Sequence, residues 1–185
     1  MSLFEFLMVL VSLIIGLGIA ELLTGVARII RNHQQVRLYW VHSVFVAILF
    51  LALLQTWWEI WELRAVPSWT FGGLLMMLGG PIGLFIISHL VFPEPVSGSD
   101  LNAYYFENKK PIFFIAIMTV AVSATFRPVV VGSELLALDN LSSFMMLVVF
   151  FGMAMLRNAT FHGFMSVLII VALVADILLV NLEIQ

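Results

Sequence analysis

The sequence predicts an all-α integral membrane protein, a bundle of six transmembrane helices. Of its 185 residues, 63% are hydrophobic and only 10% are charged, and the mean hydropathy is +1.14. A soluble domain of this size needs more polar surface than this composition supplies. The apolar residues also occur in runs of about 20, the length that spans a bilayer as a helix.

Six apolar segments define the spans of one transmembrane domain. They cover residues 3–26, 38–61, 70–92, 111–131, 138–156 and 161–182. Residues 93–110 contain Pro93, Pro95 and a Ser-Gly-Ser triplet, so they are predicted to form a cytoplasmic linker with little structure of its own. The fifth segment has a short apolar core, and Asp139 or Asn140 is a candidate cap at its start.

The distribution of basic residues predicts the orientation. Six of the eight Lys and Arg residues fall on one side of the six-span arrangement: Arg28, Arg31, Arg37, Lys109, Lys110 and Arg157. Only Arg64 and Arg127 fall on the other side. The positive-inside rule places the more basic side in the cytoplasm, so both termini are expected outside, in a bacterial inner membrane.

The aromatic residues agree with this arrangement. Trp57, Trp58, Trp61 and Trp69 cluster at the predicted outer boundary, where tryptophan is enriched in membrane proteins. We interpret the cluster as an interfacial belt, although the same rings could cage a cationic ligand.

The composition also excludes several kinds of site. There is no cysteine, which rules out disulfides, thiolate metal sites and cysteine nucleophiles. A net charge of −3 without a long basic tract argues against a nucleic-acid partner. The first span follows no Lys or Arg and precedes no cleavage motif, so we expect it to be retained rather than removed as a signal peptide. No catalytic motif or cofactor is predicted.

Glu21 is the foremost candidate functional residue. On a helix that turns about 100° per residue, it shares a stripe with Gly18, Gly25 and Arg28. The small residues allow another helix to come close, so the carboxyl is expected to face protein. Glu21 could handle a proton or cation, or it could form an interhelical hydrogen bond that holds the first span to a neighbour.

Histidines mark the same predicted side of the membrane. His42, His89 and His162 lie near the cytoplasmic ends of the second, third and sixth spans and could gather around Glu21, together with Ser43 and Ser88. Histidine can relay protons or bind metal. No spacing places two ligands on one helix, so these residues are weak metal candidates, and a haem between His42 and His89 is a further alternative.

A second polar group is predicted near the outer side. Gln55, Glu59 and Glu62 share one face of the second span, and Asp176 lies inside the sixth. We expect Asp176 to pair with Arg127 or with an amide, because an unpaired acid at that depth is costly. An Arg127–Glu59 pair is an alternative, and so is an acidic vestibule that concentrates cations.

The third span combines proline with several glycines. Gly79, Gly80, Pro81 and Gly83 lie near its midpoint, so a kink or break is expected. Broken helices serve as hinges and binding sites in transporters. The alternative is a packing kink with glycines for close helix contact.

Three functions follow as hypotheses. The first is a transporter or channel for a proton, cation or small solute, with its pathway at Glu21, Glu59, Asp176, Arg127, His42 and His89 and its hinge at residues 79–83. The second is a non-catalytic anchor, assembly or sensor subunit. The third is a haem- or metal-binding redox protein. The expected partners are the lipid bilayer, an ion or small solute, and a second copy of the chain.

Overall fold

The structure is a computed structural model that describes residues 3–66, 69–131 and 140–180. Within these ranges the chain forms six α-helices and no β-strand: α1 (Leu3–Arg31), α2 (Trp40–Ile60), α3 (Phe71–Leu90), α4 (Leu101–Val131), α5 (Leu141–Met155) and α6 (Ala159–Val180). A short 3₁₀ helix, Trp61–Ala65, follows α2. The predicted all-α membrane bundle is confirmed.

Five of the described helices, all except α5, are long and apolar enough to cross a membrane. The 15 residues of α5 extend about 22 Å, less than the roughly 30 Å of a bilayer core. This helix runs antiparallel to α4: the Asn140 amide donates to the Ala124 carbonyl at 2.9 Å, and Lys109 donates to the Leu156 carbonyl at 2.7 Å.

The helices pack as two connected groups. Along one side, α3 lies between α1 and α4, and α4 also packs against α5. On the other side, α2 packs against α1, α3 and α6. The core between them contains fully buried side chains from five helices: Val11, Phe45, Leu53, Ile87, Phe113 and Met153.

The up-and-down arrangement segregates charge. Arg28 pairs with Glu94 at 2.9 Å and Arg37 with Asp100 at 3.3 Å, so the turn after α1 and the loop after α3 meet at one end of the bundle. We call this the basic end, since it carries the six basic residues grouped by the sequence. The other end, where the Trp57 indole donates to the Ser12 hydroxyl, is called the opposite end.

The predicted linker differs from the observed structure. The fourth helix begins at Leu101, ten residues before the predicted start at residue 111, and the Asp100 carboxylate caps it by accepting from the Asn102 and Ala103 amides. The loop before it is also ordered, because Arg37 exchanges backbone hydrogen bonds of 3.0 Å with Ser99 and Leu101. Pro111, which marked the predicted span start, lies inside the helix.

The third span, for which a kink or break is predicted, shows no break. The helix α3 continues from Phe71 to Leu90 with Pro81 inside it. A Cβ atom on Gly83 would collide with Thr119 of α4, and one on Gly79 would lie 2.7 Å from Val122. The glycines therefore bring α3 and α4 together.

Candidate functional site

Glu21 meets one of the predicted histidines, His89, across the contact between α1 and α3. The Glu21 carboxylate lies 3.6 Å from His89 Nδ1, with the side chains 37% and 58% exposed. The α1 backbone comes close to α3 at Gly18, where a Cβ atom would lie 3.6 Å from the Phe85 Cα atom, and a Cβ atom at Gly25 would collide with the Phe92 ring just after α3. The glycines of the predicted stripe therefore face protein, and Glu21 lies at the edge of that contact.

His42 contacts the backbone at the end of α3 and not Glu21. Its side chain is 1% exposed, and Nε2 lies 2.8 Å from the Val91 carbonyl. A carbonyl only accepts, so Nε2 carries the proton and donates it. The buried Nδ1 atom has no hydrogen-bond partner among the described residues. His42 therefore joins α2 to the end of α3, and the predicted gathering of three histidines around Glu21 is not formed.

The third histidine belongs to a buried group that we call the Lys109 cluster: Tyr105, Lys109 and His162. His162 is 0% exposed. Its Nε2 donates to the Leu156 carbonyl at 3.0 Å, and its Nδ1 accepts from the Tyr105 hydroxyl at 2.9 Å. Both ring nitrogens are thus engaged by protein groups.

Lys109 closes the C-terminal end of α5. Its ammonium donates to the carbonyls of Met153, Ala154 and Leu156 at 3.3, 2.7 and 2.7 Å. The last carbonyls of a helix have no partners within the helix and carry partial negative charge. A buried cation here is therefore both hydrogen-bonded and electrostatically matched.

The Lys109 cluster was not predicted, because the sequence pattern placed Tyr105 and Lys109 in the linker. A usable signal was present in the spacing of the residues before Pro111. Leu101, Tyr105 and Lys109 recur every four residues and continue into Phe113, and all four are buried on one face of α4.

The polar group at the opposite end is assembled by an amide. Gln55 Nε2 donates to Glu59 at 3.0 Å and also to Asp176, which joins α2 to α6. The expectation that Asp176 would find an amide is therefore met. The side chains of Arg127 and Glu62 lie outside the described part of the structure, and so do the ion pairs expected of Arg127.

These positions give no support to a metal or haem site. Among the described residues, no group of three or more His, Asp or Glu side chains is placed to hold a metal ion. His42 offers a buried ring whose Nε2 is engaged, and His162 offers no unengaged nitrogen.

The fold and these contacts define a multi-helix membrane protein whose ionisable groups connect neighbouring helices. Comparison of the chain with protein-family models, with curated proteins and with solved structures finds no match.

Proposed function

We propose that the chain is a non-catalytic subunit of a membrane assembly, joined to a second copy of itself through the exposed face of α1. The exposed Glu21–His89 contact is the observation that carries this proposal. A charged acid in hydrocarbon costs roughly 2.5–3.5 kcal/mol. Both side chains lie at the surface of the bundle within helices long enough to span the membrane, so a covering helix would lower this cost.

The neighbouring surface of α1 suits such a helix. Gly16, Ala20 and Thr24 are exposed and recur every four residues, and a Cβ atom at Gly16 would meet nothing within 4 Å. Small residues at this spacing allow two helices to approach closely in a membrane. A face of this kind can pack against its own copy about a two-fold axis, as a dimer requires.

Cysteine cross-linking in membranes tests the proposal directly, because the chain has no native cysteine. We expect Ala20→Cys to form a cross-linked dimer. Val148→Cys is the matched control, since Val148 is exposed on α5, away from this face. Absence of a dimer at Ala20, or equal cross-linking at both positions, would contradict self-association. A cross-link from Ala20 to another protein would show that the partner at this face is a different subunit and not a second copy.

Transport of a proton, cation or small solute is the second candidate function. It is supported by the 3.6 Å contact of Glu21 and His89, because a carboxylate and an imidazole are side chains that can relay a proton. The acids Glu59 and Asp176 would attract cations at the opposite end. His42, Arg127 and the hinge at residues 79–83 remain candidate parts of this pathway, although the glycines of α3 are packed against α4.

Flux through proteoliposomes distinguishes the two functions. If the chain transports protons or cations, Glu21→Gln should lower the flux about tenfold, the effect of about 1.4 kcal/mol on a barrier. Glu107→Gln is the control, because Glu107 is an exposed acid at the basic end. Unchanged flux in Glu21→Gln would show that Glu21 is not part of the pathway. Absence of flux in the parent chain would contradict transport and favour the subunit function.

A further inference from the structure

Positive charge at the basic end is concentrated where α4 meets the turn between α5 and α6. The two ion pairs of this end neutralise Arg28 and Arg37. Lys110 and Arg157 are exposed, and neither forms an ion pair with any residue that the structure describes. The cations that the protein leaves unbalanced at this end therefore include Lys110 and Arg157.

A hydrogen bond holds these two cations near each other. Lys109 donates to the Leu156 carbonyl at 2.7 Å, and Lys110 and Arg157 are the residues that follow these two in the chain. The charges of Lys110 and Arg157 both repel the Lys109 ammonium. The two exposed cations, which we call the Lys110–Arg157 pair, therefore lie at one place on the surface, beside a third cation that is buried.

Lys109 also neutralises the nearby source of negative charge. The last carbonyls of a helix carry partial negative charge, but at the end of α5 three of them accept hydrogen bonds from Lys109. The acid closest in sequence to Lys110 is Glu107, which is exposed on α4. Within the described residues, Glu107 forms no ion pair with Lys110 or Arg157. The Lys110–Arg157 pair thus presents positive potential that the protein does not balance.

Apolar side chains extend from this pair toward the middle of the membrane. On α4, Phe114 and Met118 follow Lys110 by about one and two turns and are 63% and 51% exposed. Met118 therefore lies about 12 Å deeper along the helix than Lys110. On the antiparallel α5, the exposed Met155 precedes Arg157. A lipid at this place would contact cations at the level of its headgroup and apolar side chains below.

We propose that the Lys110–Arg157 pair binds a phospholipid whose headgroup carries a net negative charge. The phosphate lies between the two cations, because lysine and arginine bind phosphate through charge-assisted hydrogen bonds. The acyl chains lie along Phe114 and Met118. Charge complementarity selects the ligand, since two unbalanced cations attract an anionic headgroup but repel the ammonium of a zwitterionic one. The negative surface of the cytoplasmic leaflet supplies such lipids, which agrees with the orientation predicted for the basic end.

The lipid site lies apart from the proposed dimer contact. The dimer face belongs to α1, which packs against α2 and α3, whereas the lipid site is formed by α4 and the end of α5. Absence of the Ala20→Cys cross-link would therefore leave the lipid preference measurable on the monomer, and loss of the lipid preference would leave the cross-link intact.

Native mass spectrometry of the detergent-purified full chain tests the proposal. The probes are phosphatidylglycerol and phosphatidylcholine with identical acyl chains. We expect phosphatidylglycerol to be retained about twentyfold better, since each cation near an anionic lipid surface contributes about 1 kcal/mol, or about fivefold. Lys110→Gln and Arg157→Gln should each lower this preference about fivefold. Arg31→Gln is the matched control, because it removes an exposed cation of the same end from α1 and should leave the preference unchanged.

Two results would overturn the proposal: equal retention of the two lipids, or equal losses in Lys110→Gln and Arg31→Gln. Because Lys110 and Arg157 are exposed, their variants should keep the thermal unfolding midpoint of the parent chain, so a loss of lipid reports the lost charge.

Inorganic phosphate in excess, at constant ionic strength, separates a lipid site from a general anion site. We expect it not to displace phosphatidylglycerol, because inorganic phosphate has no acyl chains to contact Phe114 and Met118. Displacement of the lipid by phosphate would show that the pair binds anions generally, and would contradict the lipid assignment.

Discussion

Lys109 shows how this chain accommodates a buried charge. The residue is 5% exposed, and its ammonium is surrounded by three carbonyls from the end of α5. A buried cation without partners is costly, but hydrogen bonds that involve a charged group are stronger than neutral ones. The residue therefore stabilises the junction of α4 with the end of α5. Its position next to Lys110 in the sequence does not indicate this role.

We expect Lys109→Met to destabilise the protein by about 2 kcal/mol, because it removes the donor and leaves buried carbonyls without partners. The midpoint of thermal unfolding, followed by tryptophan fluorescence in detergent micelles, should fall by roughly 4–8 °C. Lys110→Met is the matched control, because the neighbouring Lys110 is exposed. Equal effects of the two substitutions would show that the carbonyl contacts contribute nothing specific.

For the histidines, the sequence predicted their depth in the membrane but not their contact partners. Their depth in the spans was readable from the sequence, and it placed all three at one end. Which polar atom each ring meets depends on the rotation of its helix: His89 turns to Glu21, His42 to the Val91 carbonyl and His162 to Tyr105. Rotation is set by packing against neighbours, so one cluster was predicted where three separate contacts exist.

At the scale of the helices, the pairing of α3 with α4 is governed by glycine. Gly79, Gly80 and Gly83 of α3 lie against Val122, Ser123 and Thr119 of α4. The Thr119 hydroxyl is itself held by a hydrogen bond of 2.8 Å to the Ile115 carbonyl. The two backbones can therefore approach only while these α3 positions carry no side chain.

Gly83→Ala should destabilise the bundle by about 1–3 kcal/mol, because the added methyl group collides with Thr119 and forces the helices apart. Gly72→Ala supplies the comparison: a Cβ atom there would meet only Thr70 Oγ1, at 4.0 Å, and alanine favours the helix by about 0.5–1 kcal/mol over glycine. Thermal unfolding of both variants measures the difference. An unchanged midpoint for Gly83→Ala would contradict the packing role and favour the predicted hinge as the function of these glycines.

The start of α4 explains the largest error in the predicted helix boundaries. Pro111 and the turn-forming residues near it suggested that the span began there. In the structure, the Asp100 side chain caps the helix ten residues earlier, and Leu101 and Tyr105 are buried against the rest of the bundle. A capping side chain and buried residues determine where a helix begins more strongly than a proline does. The apolar spacing of residues 101–113 therefore indicated the start of α4 better than Pro111 did.

For the molecule as a whole, the number and order of helices followed from composition and run length, since hydrocarbon leaves few alternatives to a helix. The segregation of charge was also readable, because alternating spans bring alternating loops to the same end. The contacts between helices could not be predicted from the sequence. The Gln55–Asp176 hydrogen bond between α2 and α6 is an example. It joins residues 121 positions apart, which local patterns do not specify.

We expect the basic end to face the cytoplasm, as the positive-inside rule predicts. In cells or right-side-out vesicles, a membrane-impermeant maleimide should label Arg64→Cys and should not label His33→Cys until the membrane is opened. Both positions are exposed and lie at opposite ends of the bundle. The reverse pattern would invert the assignment of the ends.

The 15-residue length of α5 has a consequence for the surrounding lipid. Where α5 faces lipid, the described helix covers a height several ångströms less than the roughly 30 Å of a hydrocarbon core. Lipids beside α5 must shorten or the whole bundle must tilt toward it, at a cost of fractions of a kcal/mol per ångström. The protein should therefore deform its membrane on one flank only, and a bilayer of thinner hydrocarbon should accommodate it with less strain.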